Sequence, residues 1–181
     1  MKYFFTPLLL LSSVAFAQNT PASLDAKVEQ VKQKVIAWRR DFHEHPELGN
    51  REFNTSKKVA EHLKSLGIEV KLMAKTGVVG ILKGGKPGPV IALRADMDAL
   101  PVIERNNLPY KSTVTTEYGG QKVGVMHACG HDAHTACLLG AGKILQTLKN
   151  EFEGSVKLIF QPSEEKLPGG ASRSEEHTSE L

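Results

Sequence analysis

Residues 90–96 (VIALRAD), 133–149 (AHTACLLGAGKILQTLK) and 156–160 (VKLIF) decide the fold of this chain. The first and third are short apolar runs typical of buried strands, and the second combines bulky and small residues in the manner of a packed helix. A strand, a helix and a strand in this order predict a βαβ unit with parallel strands. The chain is therefore predicted to have an α/β fold, in which ligands gather beyond the carboxyl ends of the strands.

Two helices and two strands are predicted before this unit. Apolar residues recur at spacings of three and four over residues 24–42, which indicates an amphipathic helix that ends near His45-Pro46. A second helix is predicted over residues 55–66, and residues 68–72 alternate apolar and charged side chains as a half-buried strand does. Residues 78–83 form the second predicted strand.

The segment between residues 83 and 125 carries most of the turn-forming residues. The turn at residues 84–89 (GGKPGP) predicts a hairpin or near-hairpin between strands 78–83 and 90–95. The continuous apolar run at residues 90–93 predicts a strand buried on both faces. Residues 99–122 are predicted to be loop and irregular structure, and loops of this length in compact domains are often functional.

The composition is that of an ordinary globular domain. The chain has 181 residues, 40% of them hydrophobic and 24% charged, with a formal net charge of +3. Its lysines are scattered, so the sequence has no basic run that predicts nucleic-acid binding.

Residues 1–17 have the pattern of a secretory signal peptide. Met1-Lys2 is a short positive start, residues 4–11 are mostly apolar, and Ala15-Phe16-Ala17 has the small-x-small form of a cleavage site. The apolar run is too short to span a bilayer. We therefore expect cleavage after Ala17 and a secreted or periplasmic chain without a membrane anchor; the alternative is a buried strand.

The carboxyl end of the chain breaks the globular pattern. The apolar periodicity stops at residues 168–172, and residues 173–181 (RSEEHTSEL) look like the translation of a sequencing adapter. We therefore expect residues 18–172 to form the domain and residues 173–181 to be a non-native tail. A natural polar tail is the alternative.

The stretch 125–135 (VMHACGHDAHT) is the strongest chemical signal. It holds three of the seven histidines and one of the two cysteines. Thiolate and imidazole bind zinc-like ions, and Cys129 and His131 are two residues apart, so both can face one metal in an extended loop. Export leaves a Cys129–Cys137 disulfide open, although the histidines beside Cys129 argue against it.

Carboxylates follow the two predicted parallel strands. Asp96 and Asp98 come after the first strand, and Glu164-Glu165 comes after the second. Neighbouring side chains on an extended segment point opposite ways, so one glutamate can bind metal while the other acts as a general base. Asp96 and Asp98 can either pair with Arg94 or orient a ligand histidine.

The other histidines have weaker assignments. His127 could be a ligand or a supporting residue, and His134 is better explained as a residue at the start of the helix. His43 and His45 are placed at the end of the first helix, where a histidine interacts favourably with the helix dipole.

Four motifs resemble a known family of metal-dependent amidohydrolases. They are residues 38–47 (WRRDFHEHPE), 93–101 (LRADMDALP), 127–135 (HACGHDAHT) and 160–165 (FQPSEE). The family includes hippurate hydrolase, N-acyl-amino-acid amidohydrolases and auxin-conjugate hydrolases, within the aminoacylase and zinc-carboxypeptidase superfamily.

The resemblance implies a set of roles. Cys129, His131 and Glu165 would be metal ligands, Glu164 the general base, and Asp98 and Asp96 supporting residues around the ligands. Two divalent ions are implied, zinc or manganese in the first place, with nickel or cobalt as further candidates. The substrate would be a small N-acyl amino acid, and the full-length protein a homo-oligomer.

The resemblance also implies that the chain is an amino-terminal fragment. The family has a three-layer α/β catalytic domain with a mixed, mostly parallel sheet, plus a smaller lid and dimerisation domain. The lid and two further ligand histidines would lie downstream of this sequence. We therefore expect this chain alone to be inactive, to bind metal weakly and to expose apolar sheet surface.

Two other functions remain open from the residues. Cys129 could act as a nucleophile activated by His127 or His131, which would leave Glu164-Glu165 without a role. Alternatively, the chain could be an exported metal-binding protein without catalytic activity.

Overall fold

The computed structural model describes residues 21–175, which form four helices and six strands within that range. The helices are α1 (Pro21–Glu44), α2 (Phe53–Ser65), α3 (His131–Thr147) and α4 (Gly170–Glu175). The strands are β1 (Glu69–Met73), β2 (Gly77–Lys83), β3 (Lys86–Asp96), β4 (Thr115–Tyr118), β5 (Gln121–Gly124) and β6 (Glu153–Gln161). The predicted α/β class is confirmed.

The main sheet is mixed and has the strand order β1-β2-β6-β3. Strand β3 runs parallel to β6, with Asp96 opposite Gln161, whereas β1–β2 and β2–β6 are antiparallel pairs. The unit β3–α3–β6 is therefore the predicted βαβ unit. Its two strands bring their carboxyl ends to one edge of the sheet.

Helices α2 and α3 pack on one face of this sheet. Leu158 of β6 and Leu63 of α2 are fully buried there. A Cβ added at Gly142 of α3 would come within 2.9 Å of Leu158, so this glycine allows α3 to approach the sheet closely. Full burial of a leucine side chain contributes about 1.5–3 kcal/mol. These contacts hold the body of α3 against the sheet.

Two predictions about strand β3 were wrong. It does not form a hairpin with β2, because β6 lies between them in the sheet. Its first half is not buried either: Val90 is 60% exposed and Ile91 57% exposed. In the described part of the chain β3 is an edge strand, and it reaches the core only near its carboxyl end, at Leu93 and Ala95.

The segment predicted as irregular, residues 99–122, contains regular structure. Strands β4 and β5 form an antiparallel hairpin around Gly119-Gly120. Both glycines have positive φ, +59° and +75°, which a two-residue hairpin turn of the primed type requires. The pair of glycines between two short β-prone runs was the sequence signal for this hairpin.

Glu47 joins the end of α1 to the start of α2. Its carboxylate accepts hydrogen bonds from the backbone N–H groups and side chains of Asn54 and Thr55 at 2.8–3.1 Å. These N–H groups at a helix start have no partner within the helix. Glu47 therefore caps α2 from the preceding turn.

The predicted signal peptide at residues 1–17 lies outside the described residues, as do residues 176–181 of the predicted tail. The boundary proposed at residue 172 falls inside α4. Within residues 21–175, no helix combines the length and the apolar character needed to cross a bilayer.

Candidate metal centre

The edge of the sheet brings Cys129, His131 and Glu165 together. One potential ligand atom from each residue lies within 4.8 Å of the others. Cys129 and His131 sit at the start of α3, on either side of Gly130, whose φ of +96° turns the chain into the helix. Glu165 comes from the loop after β6. The three residues assigned as ligands from the sequence are thus neighbours in space.

His131 is buried and held through its Nδ1 atom. This nitrogen lies 2.8 Å from the backbone oxygen of Asp98 and 3.3 Å from the Asp98 carboxylate. The hydrogen bond that His131 donates to the Asp98 carboxylate raises the pKa of His131 to about 9, against the opposing effect of burial. The other nitrogen, Nε2, lies 3.9 Å from a carboxylate oxygen of both Glu164 and Glu165. Nε2 is therefore the atom directed toward the carboxylate pair.

Asp98 links the two strand ends. It is buried, and its two carboxylate oxygens accept hydrogen bonds from the N–H groups of Glu164 and Glu165, each at 3.0 Å. Burial alone raises the pKa of Asp98, but hydrogen bonds from His131 and from these N–H groups outweigh it and hold the pKa below its ordinary value. Asp98 therefore contacts both the histidine and the glutamates, in the position of a residue that would orient a ligand histidine.

Asp96 pairs with Arg94, because the Arg94 guanidinium donates to its Oδ1 at 2.8 Å. Its second oxygen lies 3.8 Å from Nδ1 of His134. The ring of His134 is half-exposed and stacks on His131 with centroids 5.4 Å apart. Asp96, His131 and His134 form a second group whose potential ligand atoms lie within 4.8 Å of one another. Both groups use His131, whose Nδ1 already faces Asp98.

Cys129 lies in an anionic environment. A hydrogen bond to Glu165 is the largest cause that raises its pKa, followed by burial and by the nearby carboxylates. A nucleophilic cysteine needs the opposite surroundings, which stabilise the thiolate. Cys129 and Cys137 are both free and exposed, so the alternative of a disulfide between them is not present.

His43 is not a simple partner of the helix dipole, as the sequence had suggested. It is buried between Asp132, 2.7 Å from Nδ1, and Glu104, 2.9 Å from Nε2. Arg39 also contacts Asp132, at 2.8 Å. Motif residues of α1 therefore hold the first turn of α3, next to His131. His45, in contrast, is exposed and lies 2.9 Å from the backbone oxygen of Asp41 at the end of α1.

His127 is buried, and burial is the main cause that lowers its pKa to about 4. Its Nδ1 has no hydrogen-bond partner among the described residues. Sequence reasoning missed Glu52 entirely: this fully buried carboxylate accepts a hydrogen bond from Ser163, the residue before the glutamate pair. A charged residue at a helix start carries no local pattern that announces such a contact.

The side chains fit a divalent ion. A thiol, an imidazole nitrogen and a carboxylate are zinc-type donors, and they converge here from two segments. The imidazole is also oriented from behind by a carboxylate, which is the usual arrangement for a ligand histidine.

Comparison with curated proteins supports this chemistry. The chain is 46% identical over 153 residues to N-acyl-L-amino acid amidohydrolase of Geobacillus stearothermophilus, covering 84% of this chain and 39% of that protein. It is 50% identical over 139 residues to hippurate hydrolase of Campylobacter jejuni, covering 76% of this chain and 34% of that protein. The chain therefore spans about two-fifths or less of these relatives.

Solved structures and a family model agree. The Bacillus subtilis YXEP protein, described as a dinuclear metal-binding peptidase of the M20 family, matches with a TM-score of 0.74 and 43% identity. The match covers 83% of this chain and 40% of that one. Residues 92–179 match the model of peptidase family M20/M25/M40. Residues 92–179 of this chain, which include the cluster at the sheet edge, are therefore similar to peptidase family M20/M25/M40.

Proposed function

We propose that this chain carries one side of a binuclear amide-hydrolase site, and that the full-length enzyme to which it belongs hydrolyses N-acyl amino acids. The observation that carries this proposal is the convergence of Cys129, His131 and Glu165 beside Glu164. Relatives named as an N-acyl-amino-acid amidohydrolase, a hippurate hydrolase and an N-acetylcysteine deacetylase support the substrate class.

Cys129, His131 and Glu165 would hold metal, with His131 using Nε2 because Nδ1 is engaged by Asp98. A bound divalent ion polarises the amide carbonyl and makes water more acidic. Two ions are supported by the likeness to the dinuclear YXEP protein. Zinc or manganese suits the Cys/His/Glu donors best, and nickel or cobalt is compatible.

Glu164 is the proposed general base. Its side chain is 40% exposed, and its backbone is fixed by the hydrogen bond to Asp98. The carboxylate would accept a proton from the attacking water as the new C–O bond forms at the amide carbon. It would then deliver that proton to the nitrogen of the leaving amine as the C–N bond breaks. The products are a carboxylic acid and a free amino acid.

We further propose that the mature enzyme is secreted or periplasmic and forms a homo-oligomer. The signal-like pattern at residues 1–17 supports the first point. The second follows from the resemblance of the four motifs to a family with a dimerisation domain.

The test is metal content by elemental analysis, on the full-length enzyme and on this 181-residue chain. We expect about two divalent ions per full-length chain, and fewer in Cys129→Ser, in Glu165→Gln and in the 181-residue chain. Hydrolysis of hippurate and of N-acetylcysteine is measured in parallel. A full-length protein that hydrolyses neither compound, or that holds no metal, would contradict the proposal.

Chelation separates this proposal from a cysteine nucleophile. Removal of metal should abolish hydrolysis, and added Zn²⁺ or Mn²⁺ should restore it. Full activity after complete metal removal would instead favour Cys129 as the attacking group.

A further inference from the structure

Three consecutive backbone N–H groups of the loop after β6 donate to buried carboxylates. Ser163 donates to Oε1 of Glu52 at 2.7 Å, and Glu164 and Glu165 donate to the two oxygens of Asp98 at 3.0 Å. Asp98 follows β3, whereas Glu52 stands directly before α2. Two distant segments therefore hold the backbone of the loop that carries the proposed base and a proposed ligand.

The segment with Glu52, residues 49–52, is hereafter the 49–52 turn. Three of its four residues meet Ser163. The Nδ2 of Asn50 donates to Oγ of Ser163 at 2.8 Å, and a Cβ added at Gly49 would lie 3.0 Å from that same Oγ and 3.3 Å from Oδ2 of Asp98. Glu52 completes the set through the Ser163 N–H. The turn is thus fitted against one residue of the loop.

Ser163 requires this support because of its backbone. It is fully buried and has φ of +52°, in the left-handed region that a serine rarely adopts. Backbone of this kind persists when surrounding contacts determine it, and it clusters at functional sites. The left-handed residue sets the direction of the chain just before Glu164.

Both carboxylate oxygens of Glu52 are bound within the protein. It is fully buried, and its second oxygen accepts a hydrogen bond from Thr76 at 2.7 Å. Burial is the main cause that raises the pKa of Glu52 above its ordinary value. An apolar residue would fill the same space without the cost of burying a carboxyl group.

We propose that the 49–52 turn is a positioning element of the hydrolase site, in which Glu52, Asn50 and Gly49 fix Ser163 and thereby the direction of Glu164 and Glu165. This inference rests on the proposed function. It assigns a role to residues outside the proposed set of metal ligands and general base.

Arg51 provides a matched control within the same turn. Its guanidinium donates to Thr116 and to the backbone oxygen of Glu117 in β4, at 3.3 and 3.1 Å, and neither hydrogen bond involves Ser163. A purely structural turn would respond to changes at Arg51 and at Glu52 through stability alone. A positioning turn responds through turnover at Glu52 and not at Arg51.

The experiment measures kcat, KM for hippurate, bound metal and thermal unfolding in four variants of the full-length enzyme: Glu52→Ala, Glu52→Gln, Gly49→Ala and Arg51→Ala. We expect Glu52→Ala and Gly49→Ala to lower kcat per metal-loaded enzyme by about 10–100-fold, with little change in KM. Glu52→Gln should restore kcat, because its amide oxygen can accept from Ser163 while its NH₂ donates to Thr76. Arg51→Ala should keep the kcat of the unchanged enzyme.

The inference fails if Glu52→Ala unfolds at a lower temperature but keeps kcat per metal-loaded enzyme. If Glu52→Ala does not fold, Gly49→Ala decides, because its added methyl pushes on Ser163 and leaves Glu52 in place. The methyl would also lie 3.3 Å from Oδ2 of Asp98, so bound metal is compared in the same variant. An unchanged kcat per metal-loaded enzyme overturns the inference. A full-length enzyme that contains no metal or shows no hydrolysis would instead overturn the proposed function.

Discussion

Strands β3 and β6 run side by side, but the burial of their side chains changes in opposite directions from the body of each strand to the residues that follow it. The body of β6 is buried at Val156, Leu158 and Phe160, yet the strand leads to the exposed pair Glu164-Glu165. The body of β3 is exposed at Val90 and Ile91, yet the strand leads to the buried Asp98.

This difference in burial separates two uses of a carboxylate. Both carboxylate oxygens of the buried Asp98 accept hydrogen bonds from backbone N–H groups, and so Asp98 holds the backbone of the loop after β6. The half-exposed Glu164 and Glu165 are held through their backbones, which leaves their carboxylates available to water, metal or substrate. The strand end that each acidic residue follows, rather than its residue type, thus decides whether its carboxylate binds backbone N–H groups or stays accessible.

The largest expected effect comes from an exposed carboxylate. Glu164→Gln should lower kcat of the full-length enzyme by about 10²–10⁴-fold, the usual contribution of a general base. Metal content should remain unchanged, because Glu165 and not Glu164 is the proposed ligand. The measurement is hippurate turnover together with elemental analysis. Unchanged turnover would favour a metal-binding protein without catalytic use of Glu164.

The bodies of the two strands give the next effect. Leu158→Ala in β6 should lower the free energy of unfolding by about 2–5 kcal/mol, because it leaves a cavity under α3. The matched change Ile91→Ala in β3 should cost less than about 0.5 kcal/mol, the usual range for exposed positions. Urea unfolding of the 181-residue chain measures both, because the exposure of Ile91 is that of this chain. Equal losses would show that β3 is covered there.

The buried carboxylate gives a moderate effect. Asp98→Asn should weaken metal binding by about 10–100-fold, because the amide supports the His131 ring poorly and can accept from only one of the two loop N–H groups. Metal competition with a chelator of known affinity measures this. Asp96→Asn is the control, and its effect should be smaller because Asp96 pairs with Arg94.

The smallest effect concerns pH. The pKa of Glu52 is raised above 4.5 by burial, so its contribution to stability is present below pH 4.5 and is lost as pH rises through the folded-state pKa. Glu52→Gln lacks this loss. The unfolding temperature of Glu52→Gln, measured relative to that of the unchanged enzyme, should therefore increase as pH rises from 4 to 7. A constant difference across this range would show that the pKa of Glu52 is the same in the folded and the unfolded chain.

The sequence predicted which residues meet at the edge of the sheet, but not the burial of the sheet itself. Cys129 and His131 lie in one local motif, and the strand-end rule placed the Glu164-Glu165 pair beside them, whereas the choice of Glu165 as a ligand came from the family resemblance. The burial of residues 90–93 was mispredicted, because an apolar run states a preference for burial and not which neighbour satisfies it. Hydrogen bonds such as Glu52–Ser163 have no local pattern, since they depend on tertiary structure alone.

The contact between Glu52 and Ser163 also affects how the chain folds. The two residues are 111 positions apart, and Asn50 is 113 positions from the same serine. A ribosome that adds roughly 5–20 residues per second exposes Glu52 roughly 5–20 s before its partner. During that interval α1 and α2 can form, but the carboxylate between them lacks its main-chain donor. The chemical site should therefore be among the last parts to assemble, in keeping with the slow closure of such long loops.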